Sequence, residues 1–225
     1  MSFVKLKHTY EYMPHTIIPK GQADSFAGKY GLGVRHNTIW TPEPEKEVLY
    51  KVIPERYWKD FQVTRMSINC LLLPHVDNDF ITTINFYYEP GDYKTIFWKP
   101  KPGASSWKTE EDRHTDVASN NMEAKDIDVE DLKNRVKEFV AEKKNMPTCE
   151  EITYVDAVYA FDDVYEIASF IANKNEAYML DVRVAHNVEP LNASNSPKLR
   201  KAFALRTRHY EYSEVYEMLK ETGNL

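Results

Sequence analysis

Between Phe61 and Tyr210 the chain keeps gathering β-branched and aromatic residues into short runs, each closed by a segment too polar or too turn-prone to continue it. "FQVTRMSINCLLL" (Phe61 to Leu73), "FITTINFYYEP" (Phe80 to Pro90), "KTIFWKP" (Lys94 to Pro100), "EEITYVDAVYAF" (Glu150 to Phe161) and "RKAFALRTRHY" (Arg200 to Tyr210) read as strands. "EAYMLDVRVAHNVE" (Glu176 to Glu189) alternates, with Tyr178, Leu180, Val182, Val184 and His186 in one phase and Asp181 and Arg183 in the other. "DDVYEIASFIANKN" admits a helix capped by Asp162 or a strand, and its start favours the strand. Many short strands can bury their apolar faces only against another sheet or against themselves. The expected class is therefore mainly β, a sandwich or jelly roll.

Helical patterns are confined to the ends and to one interruption. "PEPEKEVLYKVIPERYWKDF" between Pro42 and Phe61 puts Val48, Leu49, Val52 and Ile53 on one face, and Pro54 should kink or restart it. "SEVYEMLKETG" predicts a closing helix from Ser213, stopped by Gly223. From Lys101 to Met146 the composition turns polar: "GASSWKTEEDRHTDVASNNMEAKDID" is expected to be irregular. After it a helix capped by Asp128 carries Val129, Leu132, Val136, Phe139 and Val140 on one stripe, with Lys143 and Lys144 at its C-terminal end. This charged, partly helical stretch (101–146) reads as an insertion into a single domain spanning 1–225, whose core runs from 62 to 210. It is either a lid over one face or a solvated decoration.

The bulk properties mainly exclude. A net charge of −6 argues against a general nucleic-acid binder, which needs a basic surface. No apolar run approaches the roughly 20 residues that span a bilayer, so no membrane partner is expected. The opening "MSFVKLKHTYEYMPHT" lacks the apolar core of a signal peptide, and the expected location is cytoplasmic. Cys70 and Cys149 form neither a metal knuckle nor a disulfide framework. "GKYGLG" (Gly28 to Gly33) has neither nucleotide-loop pattern and reads as a turn.

The chemistry points to "LPHVDNDF" (Leu73 to Phe80). In an extended segment His75 and Asp77 leave the same face, and both can bind one metal. A second His-x-Asp, His114 to Asp116, lies in the polar stretch with no strand pattern on either side, so context favours the first pair. His186, in another strand-like segment, can supply a third ligand. Two imidazoles and one carboxylate on one side of a metal leave three positions open, the arrangement used by non-haem Fe(II) oxygenases.

At this point the sequence resembles a known family, the Fe(II)/2-oxoglutarate-dependent oxygenases, near their prolyl-hydroxylase-like branch. "PHVDNDFITTINFYYEP", "KNEAYMLDVRVAHNV" and "RKAFALRTRHY" carry the resemblance, in the order His-x-Asp, distal histidine, arginine-led strand. It implies a double-stranded β-helix (jelly roll, cupin-like) core with flanking helices. It implies Fe(II) held by His75, Asp77 and His186. It also implies 2-oxoglutarate as co-substrate, its far carboxylate paired with Arg200 through the planar guanidinium fork. Arg206 and Arg208 share the strand phase of Arg200 and are its substitutes. Tyr87 or Tyr88 is expected to donate a second hydrogen bond to that carboxylate, with alternation leaving the choice open. A carboxylate at Asp77 implies hydroxylation rather than halogenation. The implied reaction is hydroxylation by dioxygen of an unidentified substrate, a peptide or protein side chain among the candidates, with release of succinate and CO2. Two rivals stand beside it: a non-catalytic jelly-roll binding or structural protein, and a cupin-like hydrolase or isomerase using the same ligands on zinc or manganese.

Overall fold

The computed structural model describes residues 2–8, 22–25, 35–38, 49–68, 74–77, 80–104, 107–110, 112–114, 155–191 and 200–225. In chain order the strands among them are β1 (Phe3–Lys5), β2 (Gln22–Ser25), β3 (Arg35–Thr38), β4 (Phe61–Ile68), β5 (His75–Val76), β6 (Thr82–Glu89) and β7 (Tyr93–Pro100). There follow β8 (Trp107–Glu110), β9 (Asp112–His114), β10 (Val155–Val158), β11 (Val164–Ile171), β12 (Glu176–Asp181), β13 (His186–Pro190) and β14 (Arg200–Thr207), then helix α1 (Tyr212–Glu221). They form two antiparallel sheets. One has the order β1-β12-β6-β14-β4-β3-β2-β9, the other β11-β7-β13-β5-β10-β8. The expectation of a mainly β sandwich is met.

Two apolar layers explain why these sequences stay paired. Between the sheets, Met66, Tyr87, Tyr178, Leu180 and Ala202 from the first meet Tyr93, Phe97 and Val188 from the second. On the first sheet's other face, Val63, Ile84, Phe86, Tyr88, Met179, Phe203 and Leu205 pack under Leu49, Val52 and Ile53 and under Val215, Met218 and Leu219 of α1. The central strand β6 is consequently buried at every residue from Thr82 to Tyr88. Neither face of such a strand meets water.

The ends follow their local chemistry. Leu49 and Tyr50 are helical, the chain turns at Lys51–Val52, and Pro54 precedes a 3-10 helix over Glu55–Asp60. The indole N–H of Trp58 donates to the carbonyls of Tyr50 and Ile53 and locks that restart. Helix α1 opens with a reciprocal capping box between Glu211 and Glu214, and Gly223 takes φ +76° just past its end, the left-handed conformation glycine adopts without strain.

Several expectations are corrected. The run Glu176 to Glu189 is not one strand: β12 ends at Asp181, residues 182–185 turn, and His186 starts a strand of the other sheet. The start of the insertion is not irregular, since β8 joins the second sheet beside β10 and β9 joins the first beside β2. Strands also come from the first forty residues, which polar composition concealed. The ambiguous stretch after Phe161 resolves into a 3-10 turn (Phe161–Asp163) and the strand β11. The expected helix after Asp128 and the turn at Gly28 to Gly33 lie outside the described residues. Among the described residues no helix is long and apolar enough to cross a membrane.

Candidate metal centre and its cavity

The strand carrying the first ligand is two residues long and is held from both sides. His75 stands opposite His186 of β13 on one side and opposite Val158 of β10 on the other. The amide of Tyr159 donates to the carbonyl of Pro74 at 2.8 Å, fastening the residue just before β5. Strand β10 follows the 101–146 stretch in sequence and braces the ligand strand directly.

Cross-strand partners in an antiparallel pair project from the same face. His75 and His186 accordingly meet with ring centroids 4.6 Å apart. Asp77 closes the group, its Oδ1 lying 3.5 Å from His75 Nε2. One donor atom from each of the three residues lies within 4.8 Å of the others, and an ion with bonds of about 2.1 Å would draw them slightly together. This His75–Asp77–His186 group can hold a metal ion. The histidines are buried, while the Asp77 side chain is 16% exposed.

The turn between β12 and β13 sets the geometry of two of the three ligands. The Val182 carbonyl accepts the backbone N–H of Asp77 at 3.0 Å. Two residues on, the Val184 carbonyl lies 3.0 Å from His186 Nδ1. A carbonyl only accepts, so Nδ1 carries the proton and Nε2 keeps the lone pair a metal needs. The ring of Phe97 packs 6.0 Å from that of His186 and fills the space behind it.

The group lines a cavity between the sheets. Met66, Leu180, Val182 and Val188 give it apolar walls. Thr83, Asn85 and Tyr87, two apart on β6, form a polar strip along it. Arg200 also lines it and is 2% exposed. Its guanidinium carbon stands 4.6 Å from the centre of the Tyr87 ring, and its Nη2 donates to Thr95 Oγ1 at 2.7 Å. Its Nε and Nη1 are buried with no hydrogen-bond partner among the described residues. Buried guanidinium donors left unmade are costly, so this arrangement fits a site that an acceptor completes.

The remaining expected residues separate clearly. Of the two tyrosines left open by the sequence, Tyr87 faces the cavity and Tyr88 does not. Tyr88 belongs to the layer under α1, with its ring 5.0 Å from that of Phe203. Neighbours on a strand point to opposite faces, and both faces of β6 are buried. Arg206 lines the cavity and stacks on Phe80, whose ring also carries Arg208, an exposed residue beyond the end of β14. His114 lies on β9, the edge of the first sheet, and Asp116 is outside the described residues. Sequence reasoning missed Thr95, the anchor of Arg200, and Asn85, which reads as an ordinary polar residue in an apolar strand.

Fold and site together define an antiparallel β-sandwich with a cavity between its sheets and a His-Asp-His group able to hold a metal. No protein-family model matches the chain, and comparison with curated proteins finds no match.

Proposed function

We propose that the protein is an Fe(II)- and 2-oxoglutarate-dependent dioxygenase that hydroxylates an organic substrate, releasing succinate and CO2. The observation that carries this reading is the buried Arg200, with two guanidinium donors unmade in the cavity of the His75–Asp77–His186 group. A metal-assisted hydrolase on the same three ligands does not require such a group. Two histidines and one carboxylate with open positions suit non-haem Fe(II). Thr95 stands opposite Val188, two residues along β13 from His186, so the guanidinium is anchored about 7 Å along the strand from that ligand. That offset suits a short dicarboxylate with one end at the metal.

The strand order supports reading the core as a double-stranded β-helix. Around the site, β4-β14-β6-β12 face β5-β13-β7-β11, and the chain crosses between sheets at nearly every step. Bound iron and 2-oxoglutarate supply dioxygen activation coupled to oxidative decarboxylation. The residues of the chain do the rest. Arg200 takes the far carboxylate as a bidentate partner, and Tyr87 adds a hydrogen bond beside it. The Val184 carbonyl keeps His186 in the metal-binding tautomer. Met66, Leu180, Val182 and Val188 exclude water, which strengthens the charge pairing within.

Anaerobic titration with Fe(II) and 2-oxoglutarate tests the proposal. Binding of the keto acid to the metal should raise a visible metal-to-ligand charge-transfer band. His75→Ala and His186→Ala should abolish the band, whereas His114→Ala should retain it. A folded wild-type protein that binds Fe(II) without giving a band would sink the proposal.

A further inference from the structure

We propose that Thr83 and Asn85 are positioning residues that fix the direction of the Tyr87 hydroxyl proton and thereby tune recognition of the far carboxylate of the keto acid. The inference rests on the dioxygenase reading above. Thr83, Asn85 and Tyr87 project from the same face of β6, and all three are buried. The hydroxyl of Thr83 donates to Asn85 Oδ1 at 3.1 Å. That fixes the amide orientation, so Asn85 Nδ2 donates to the Tyr87 phenol oxygen at 3.3 Å.

An amide nitrogen has no lone pair to accept a proton in return. The phenol is an acceptor toward Asn85 and must send its own O–H elsewhere. Its ring is pinned by Arg200 over one face and by Phe170 and Tyr178 at its edges, which leaves rotation of the O–H bond as the free variable. The proton is thus turned away from Asn85, and the cavity that Tyr87 lines together with Arg200 is where an acceptor can take it. The phenol and the guanidinium then both offer donors to the same cavity, and a carboxylate has the oxygens to receive them. Without the amide, the phenol can rotate and its donation becomes optional.

The test compares 2-oxoglutarate with 2-oxobutyrate, which keeps the keto acid end but lacks the far carboxylate. Dissociation constants are read from the anaerobic Fe(II) charge-transfer band, with no turnover. Asn85→Asp puts an acceptor where the donor was and draws the phenol proton away from the ligand. It should weaken 2-oxoglutarate by about ten- to a hundredfold, the scale of one hydrogen bond to a charged group, and leave 2-oxobutyrate within about twofold. Thr83→Val should act in the same direction, by about threefold, because it frees the amide to flip. In a Tyr87→Phe background neither substitution should have a further effect. Equal weakening of both keto acids, no change for 2-oxoglutarate, or full additivity with Tyr87→Phe would overturn the inference. A wild-type protein with no band for either keto acid would instead overturn the dioxygenase reading itself.

Discussion

His75 and His186 are register partners on adjacent antiparallel strands, and their imidazoles meet at 4.6 Å between centroids. The pair is created by backbone hydrogen bonding between β5 and β13, with no help from sequence proximity. Its behaviour follows from that origin.

Removing either imidazole leaves two donors and a gap. His75→Ala or His186→Ala should lower affinity for a divalent metal by at least about a hundredfold, on the scale of losing a ligand from a three-residue site. The check is thermal stabilisation by Mn(II): the wild type should shift upward, and the variants should not.

Arg200 should show opposite effects on stability and on binding. Its buried, partly unmade guanidinium costs free energy in the ligand-free protein. Arg200→Met should therefore raise the metal-free melting temperature by about 2–4 °C, the shift expected for about 1 kcal/mol in a chain of this size. The same variant should lose the additional stabilisation by 2-oxoglutarate. Scanning calorimetry with and without the keto acid reads both, and a lower melting temperature would make Arg200 a structural residue instead.

Strand β10 should matter to the metal although it carries no ligand. Tyr159→Pro deletes the amide that holds the Pro74 carbonyl. Metal affinity should fall about tenfold while the circular dichroism spectrum stays that of the wild type, a looser support acting on a ligand strand. Unchanged affinity would show that β13 alone fixes β5.

Glu176 gives the fold an acid limit. Burial pushes its carboxyl up, but the backbone N–H of Asn173, the ammonium of Lys5, the Asn173 amide and the Tyr178 hydroxyl outweigh that and bring it down to about 2 from an ordinary 4.5. A lowered folded value means stabilisation present above pH 4.5 and lost as pH falls toward 2, at about 1.4 kcal/mol per unit before solvent screening at half-exposed Lys5. Denaturant unfolding of wild type and Glu176→Gln should differ most above pH 4.5 and converge near pH 2. A constant difference across that window would refute the assignment.

Tyr88 and Tyr87 are adjacent and should behave differently. Tyr88→Ala empties a place in the layer against Phe203 and should cost about 3 kcal/mol of stability. Tyr88→Phe should leave keto acid binding at the wild-type value, whereas Tyr87→Phe should weaken it. Equal weakening by both would contradict the placement of Tyr88.

Much of this was legible in the residues, for reasons that can be stated. β4, β7 and β14 fall within runs whose β-branched and aromatic content fits paired strands. His75 and Asp77 two apart in an extended segment share a face, which the structure bears out. His186 was also identified, but by an argument that fails: its supposed phase with Tyr178 and Leu180 ignored the turn at 182–185. It reaches the site on β13, in the second sheet beside β5, whereas Tyr178 and Leu180 belong to the first. Tyr87 was not told from Tyr88 because α1 and the second sheet bury both faces of β6, although Thr83 and Asn85 share the phase of Tyr87 and were the available signal. β8 and β9 were missed because their polar residues carry no apolar strand pattern. The pairing of Arg200 with Thr95 was out of reach, since nothing in a sequence signals a contact between strands so far apart.

The four-residue link from Val182 to Ala185 is where this site tolerates least change in length. Loops elsewhere can grow, as the long segment after β7 has done, because strand pairing restores their ends to the same places. Inside this link a single inserted or deleted residue would turn His186 to the far side of its sheet or move the Val184 carbonyl away from Nδ1. Chains that keep this chemistry while drifting in sequence should therefore vary freely in loop length and hold this one span constant.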